Sequence, residues 1–281
     1  MKNRQITDKR IAAYRKALRA EERSLGTEEK YLRDIRALAA WLDGRSVARE
    51  ALSGWKRHLL DRGYAPVTIN SMLSAVNGFL RFHGWEDCRV RFLRIQRRLF
   101  REEGRELTRE DYRRLLDAAR SLGRGRLELL IETICATGIR VSELRYITVG
   151  AAKRGAAELR LKGKIRTILL PGKLRRKLLK YAQAQKIASG EIFLTKSGNS
   201  LSRRQIWREM KQLCARAGVE PSKVFPHNLR HLFATAFYRA SRDIVKLAGV
   251  LGHSSIDTTR LYLLTTGAEH VRQLERLRLV N

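Results

Sequence analysis

The chain has 281 residues and carries 59 Lys and Arg against 28 Asp and Glu, a formal net charge of +31 with a pI near 11.1. Hydrophobic residues make up 43%, with only 20 Gly and 4 Pro, so folded cores in roughly two domains are expected rather than disorder. No run approaches the roughly 18 apolar residues of a membrane span, and no apolar stretch of the length a leader needs follows the basic start, so neither a span nor a secretory leader is expected.

A surface this basic calls for an anionic partner: nucleic acid, an anionic membrane or an acidic protein. Cys88, Cys135 and Cys214 are scattered and odd in number, which fits a reducing cytoplasm and plain core positions. They offer neither a disulfide framework nor a paired zinc site. Residues 1–103 hold 23 basic and 13 acidic side chains, and residues 104–281 hold 36 and 15. The positive charge therefore belongs to both halves of a folded protein.

Helical spacing of apolar residues predicts helices at Thr7–Ala20, Thr27–Leu42, Val47–Arg62 and Val67–Phe82. Thr27 is placed as a cap, and Gly63-Tyr64-Ala65-Pro66 as a breaker. These helices form a binding module over residues 1–95. A basic connector follows at 96–106; its Arg97, Arg98 and Arg101 suit contact with a phosphate backbone.

The second domain, 107–281, restarts at Thr108, an N-cap ahead of helix Arg109–Leu122. Further helices are predicted at Gly125–Ala136, Val141–Ile147, Leu174–Ile187, Ser202–Ala217, His227–Arg239, Asp243–Leu251 and Gly267–Leu279. Glu158–Lys162 and Thr167–Leu170 read as a small hairpin around Gly163-Lys164, and Ile192–Thr195 as a short strand. The fold class is thus mainly α with a small β-hairpin, in two domains.

Five stretches of this half carry chemistry. Thr137-Gly138-Ile139-Arg140 sets Arg140 at the start of a helix, where guanidinium and helix N-terminus both favour phosphate oxygens. Lys164 stands at a hairpin tip. In His227-Asn228-Leu229-Arg230-His231 the i, i+3 spacing puts His227 and Arg230 on one helix face. Leu251-Gly252-His253 and Thr258-Thr259-Arg260-Leu261-Tyr262 complete the set. Taken singly, each is ordinary surface charge or packing. Together they supply two arginines, a lysine, two histidines and a tyrosine with no metal-ligand cluster, an inventory for transferring a phosphodiester onto a tyrosine.

The ordered set resembles the catalytic domain of the tyrosine recombinase, or phage integrase, family, and within it the Xer-type recombinases and mobile-element integrases. The resemblance extends to Thr-Gly-x-Arg-x-Ser-Glu-Leu around Arg140, Leu-Arg-His-x-Phe-Ala-Thr from Leu229, and Leu-Gly-His with Tyr262 nine residues beyond His253. The helical first half is similar to the family's core-binding domain, so the fold implied is a two-domain clamp on duplex DNA. By this resemblance Arg140, Lys164, His227, Arg230, His253 and Tyr262 are the catalytic set, and Glu143 supports Arg140. The family hairpin reads Gly-Lys-Gly-x-Lys-x-Arg, whereas this one is shortened to Gly163-Lys164-Ile165-Arg166, so Lys162 rivals Lys164 for the catalytic lysine.

The activity implied is site-specific DNA recombination through a 3′-phosphotyrosyl intermediate, without metal, ATP or other cofactor. The implied partners are double-stranded DNA and further copies in a tetramer on two duplexes, joined by the C-terminal helix with Val271, Leu274 and Leu277 in stripe. A need for a partner recombinase or accessory protein stays open. The implied place of action is the cytoplasm, at the nucleoid. Relaxation of DNA in the manner of a type IB topoisomerase, or a purely architectural DNA-binding role, are the alternatives.

Overall fold

The computed structural model describes residues 4–95, 104–161, 164–263 and 267–277. Arg97, Arg98, Arg101 and Lys162 lie outside the described residues. The chain divides into two compact units, Met1–Arg97 and Arg98–Asn281. It is mostly helical, and its one sheet among the described residues has two strands. No helix among the described residues is long and apolar enough to cross a membrane.

The first unit is built from α1 (Asp8–Ala20), α2 (Leu25–Leu42), α3 (Arg49–Asp61) and α4 (Pro66–Phe82). Each presents an apolar stripe to a shared core that includes Leu18, Ile35, Leu38, Trp55, Leu73 and Phe79. The expected cap of α2 moves by three residues. Ser24, not Thr27, is the N-cap, and its Oγ accepts from the Thr27 amide, which lets the helix begin at Leu25.

Two asparagines of α4 hold the extended segment that follows it. Asn77 Nδ2 donates to Val90 O at 3.0 Å, and the Val90 amide donates back to Asn77 Oδ1. Asn70 makes the same pair of bonds with Leu93, at 2.9 and 2.7 Å. Seven helical residues advance about 10.5 Å and three extended residues about 10 Å, so the two spacings match. Each side-chain amide thereby acts as a neighbouring strand would.

The second unit opens with α5 (Arg109–Ser121), whose Thr108 and Asp111 form a reciprocal capping box. α6 (Gly125–Thr137) follows, then a 3-10 turn over Val141–Tyr146 where an α-helix was expected. That stretch is six residues long, and its Ncap Arg140 is extended, which favours the tighter i→i+3 turn over a full helix. α7 (Val149–Arg154) leads into β1 (Ala156–Leu161), antiparallel to β2 (Lys164–Leu169) with Ala156 opposite Leu169 and Leu161 opposite Lys164. Ala157, Leu159 and Ile168 face the core, while Ile165 and Leu169 point to solvent.

α8 (Gly172–Ala184), α9 (Arg203–Ala217), α10 (Pro226–Ser241), α11 (Ile244–Leu251), α12 (Ile256–Arg260) and α13 (Gly267–Arg276) complete the unit. The expected strand at Ile192–Thr195 is not formed. Glu191 and Leu194 make only isolated bridges, to Thr148 and Ser200, because no third strand extends the hairpin there. The core gathers Leu115, Ile131, Ile134, Met210, Leu213 and Leu229 from α5, α6, α9 and α10. Cys88 and Cys214 are buried core residues and Cys135 is half-buried; all three are free thiols.

Candidate active site

The site forms where α6, α10, α11 and the turn after α12 come together. α6 ends at Gly138, whose φ of +63° is the left-handed conformation that stops a helix. A Cβ at Gly138 would stand 2.4 Å from the Phe233 ring, so glycine is also required by packing against α10. The chain then extends through buried Ile139 and presents Arg140. Glu143, 2% exposed, takes the Arg140 amide on one carboxylate oxygen and the Arg140 guanidinium on the other, both at 2.9 Å. The carboxylate thus sets the direction of the Arg140 side chain.

α10 starts at Pro226, which presets the helical φ at N1. His227, Arg230 and His231 follow at i, i+3 and i+4, on one face. Arg230 is 2% exposed, yet its hydrogen bonds go mainly to neutral groups: Gly138 O, Leu251 O at 2.7 Å and His253 Nε2 at 2.9 Å. Burial and the nearby Arg140 both lower its pKa. The nearby Tyr262 hydroxyl acts the other way and favours the charged guanidinium.

α11 ends at Gly252 in the left-handed conformation, and His253 follows directly. Arg230 can only donate, so His253 Nε2 must be the acceptor. The ring proton then sits on Nδ1 and is donated to Thr259 Oγ1 at 2.9 Å. Burial, then Arg230, Arg140, Arg166 and His227, push the His253 pKa down to about 4. The His227 pKa is lowered by burial, then by Arg230 and Arg140.

Tyr262 lies in a 3-10 turn, Leu261–Leu263, and is 5% exposed. Its ring packs with Ala234, Leu247 and Leu251, and three imidazoles surround it. Centroid distances are 5.5 Å to His227, 5.3 Å to His231 and 5.6 Å to His253, the last stacked at 20°. His231 Nδ1 in turn lies 3.2 Å from Glu106 Oε1.

Arg140, His227, Arg230, His253, Tyr262 and Glu143 therefore converge. Lys164 begins β2, and the structure describes its backbone there. Three residues of the site were not singled out in the sequence: Arg166, His231 and Thr259. His231 was legible as i+4 from His227. Arg166 lay in the hairpin motif with no signal of its direction, and nothing marked Thr259.

Arg140 and Arg166 share one carboxylate, Glu143, and Arg230 lies near them, leaving about two positive charges in excess in a mostly buried place. Such a site is electrostatically incomplete without an anion. The two lowered histidines also predict a pH effect. Unfolding lets each imidazole bind a proton near pH 6.5, so folding stability is full above that value and falls as pH drops toward about 4. In denaturant titrations between pH 7 and 4, His253→Asn should show a shallower loss than wild type; equal slopes would contradict the assignment.

Residues 105–268 match the phage integrase family, and residues 11–87 match the phage integrase N-terminal SAM-like domain. The chain belongs to the phage integrase family and is an enzyme of the tyrosine recombinase type. It is 31% identical to tyrosine recombinase XerD of Xanthomonas campestris pv. campestris over 88% of this chain and 84% of that protein. Its fold is similar to the Tn1549 transposon integrase in complex with transposon right end DNA, with a TM-score of 0.71, 18% identity, and coverage of 96% of this chain and 99% of that one. It is likewise similar to a lambda integrase tetramer bound to a Holliday junction, with a TM-score of 0.70, 19% identity, and coverage of 90% and 76%.

Proposed function

We propose that the chain is a site-specific recombinase of double-stranded DNA that cuts and rejoins strands through a 3′-phosphotyrosyl intermediate. The observation that carries this is a buried tyrosine ringed by three imidazoles, with excess positive charge beside it. The Tyr262 oxygen attacks the scissile phosphorus in line while the bond to the 5′ oxygen breaks. His227 assists removal of the phenolic proton, and Lys164 protonates the departing 5′ oxygen. Arg140 and Arg230 hold the non-bridging oxygens, where charge accumulates, and His253 hydrogen-bonds the same phosphate once its ring proton has moved to Nε2. Glu143 orients Arg140. The bond energy is kept in the phosphotyrosyl link, so the reverse step needs no ATP, and the arginines and lysine supply the charge a metal would otherwise bring.

The helical module at 1–95 and the basic connector at 96–106, with Arg97, Arg98 and Arg101, would add phosphate contacts, while 107–281 carries the reaction. α13 and the residue after it expose Val271, Leu274 and Leu277, an apolar stripe suited to docking on a neighbouring copy in a tetramer on two duplexes. A lambda integrase tetramer on a Holliday junction, with the same fold, supports that assembly. The site of action would be chromosomal DNA in the cytoplasm.

The test is a nicked suicide duplex that traps the covalent adduct. Strand transfer between two duplexes is expected; supercoil relaxation alone would favour the topoisomerase reading. Lys164→Ala should slow adduct formation more than Lys162→Ala, and the reverse ranking would move the general acid to Lys162.

A further inference from the structure

The C-terminus of α11 is where the arginines of the site meet. A helix leaves its last carbonyls without intrahelical donors and gathers partial negative charge there. Three consecutive carbonyls here are taken by guanidiniums from three different elements. Arg166 Nη2, from β2, donates to Val250 O at 2.7 Å. Arg230 Nη2, from α10, donates to Leu251 O at 2.7 Å, and Arg140 Nη2 reaches Gly252 O at 3.5 Å. Arg140 and Arg230 have roles in the reaction proposed above. Arg166 has none.

The surroundings of Arg166 are specific. Its other arm, Nη1, donates to Glu143 Oε2 at 3.2 Å, on the carboxylate whose second oxygen holds Arg140. The side chain is 13% exposed, so it is enclosed by protein rather than offered to solvent. Its stem lies against Gly252: a Cβ there would come within 2.4 Å of Arg166 Cδ. Gly252 is thus required twice over, by its φ of +64° and by the arginine beside it. The next residue is His253. One side chain therefore touches the carboxylate that directs Arg140 and the turn that directs His253, and a fork of fixed geometry sets both distances at once.

We propose that Arg166 is a positioning residue of strand cleavage, fastening the β1–β2 hairpin to Glu143 and to the α11 C-terminus so that Arg140, His253 and the hairpin are placed as one unit. This rests on the phosphotyrosyl reading of the site. An electrostatic signature follows. His253 faces Arg230, Arg140, Arg166, His227, Tyr262 and Thr259, and Arg166 is one of the charges that oppose its protonation. Removing that charge moves His253 protonation to higher pH.

The experiment captures the wild type as a covalent adduct from a pool of nicked suicide duplexes made from fragments of the source genome, then assays variants on the enriched duplex. Arg166→Met is expected to bind that duplex within about twofold of wild type while forming adduct about 10²-fold more slowly, the scale of a roughly 1 Å misplacement. The acid limb of its rate profile should lie about half a pH unit higher. Arg166→Lys should return the limb to the wild-type position and recover only part of the rate, because an ammonium lacks the two-armed fork.

Wild-type cleavage by Arg166→Met, an unmoved acid limb, or equal losses of rate and DNA affinity would each overturn the proposal. If Arg166→Met melts below the assay temperature, Arg166→Lys decides: slow cleavage with an unmoved limb supports it, and wild-type cleavage overturns it. No adduct from any fragment with wild type would overturn the phosphotyrosyl reading, and the role of Arg166 with it.

Discussion

Tyr262→Phe is expected to abolish covalent adduct formation while leaving DNA affinity within about twofold of wild type. The ring would keep its place among Ala234, Leu247 and Leu251, and only the hydroxyl would be lost. Losing one hydroxyl contact costs about 1 kcal/mol net, so the fold should persist. Arg230→Ala is expected to lower single-turnover cleavage by about 10³-fold or more, since it removes a preorganised donor from the developing charge. It also leaves Gly138 O, Leu251 O and His253 Nε2 without their shared donor. Arg230→Lys should rescue little, because one ammonium cannot span those three acceptors. Adduct formation by Tyr262→Phe, or full activity in Arg230→Lys, would contradict the roles assigned here.

The second large effect belongs to Glu143. It is the carboxylate shared by Arg140 and Arg166, with side-chain exposures of 40%, 13% and 3% for Arg140, Arg166 and Glu143. Glu143→Ala leaves two guanidiniums facing each other beside Arg230. Breaking a buried pair costs about 3–5 kcal/mol, and the partial exposure of Arg140 places this case near about 3. For a unit of this size that corresponds to about 6–12 °C in Tm. Glu143→Gln keeps the shape and one acceptor oxygen, so its Tm should lie between those of Glu143→Ala and wild type. Both variants should cleave more slowly, as Arg140 loses its direction. An unchanged Tm in Glu143→Ala, read by calorimetry, would show that the carboxylate does not hold the cluster together.

These effects bear on how much could be read from the chain alone. The helices were legible because long amphipathic periodicity survives any tertiary context, as in α2, α4 and α5. Boundaries failed where a local choice had competitors: Ser24 and Thr27 are both good caps, and the hydroxyl that meets the free amide is chosen by where the first turn closes. The six residues after Arg140 look helical in composition, yet an extended arginine in front and a short span make a 3-10 turn. Ile192–Thr195 has strand composition, but a strand needs a partner edge.

The site divides in the same way. Residue order in the sequence determined which groups are candidates, because Arg140, His-x-x-Arg at His227 and Arg230, Leu-Gly-His at His253 and Tyr262 form a chemically complete set whatever the loops between them do. The charge of +31 determined that the partner is anionic. Only the tertiary structure decided that three arginines share the end of α11, that Glu143 serves two of them, and that Arg166 and Thr259 belong to the site at all. Those facts depend on side-chain direction and on contacts between residues 21 to 112 positions apart, and hydrogen bonds across such separations leave no periodic trace in a sequence.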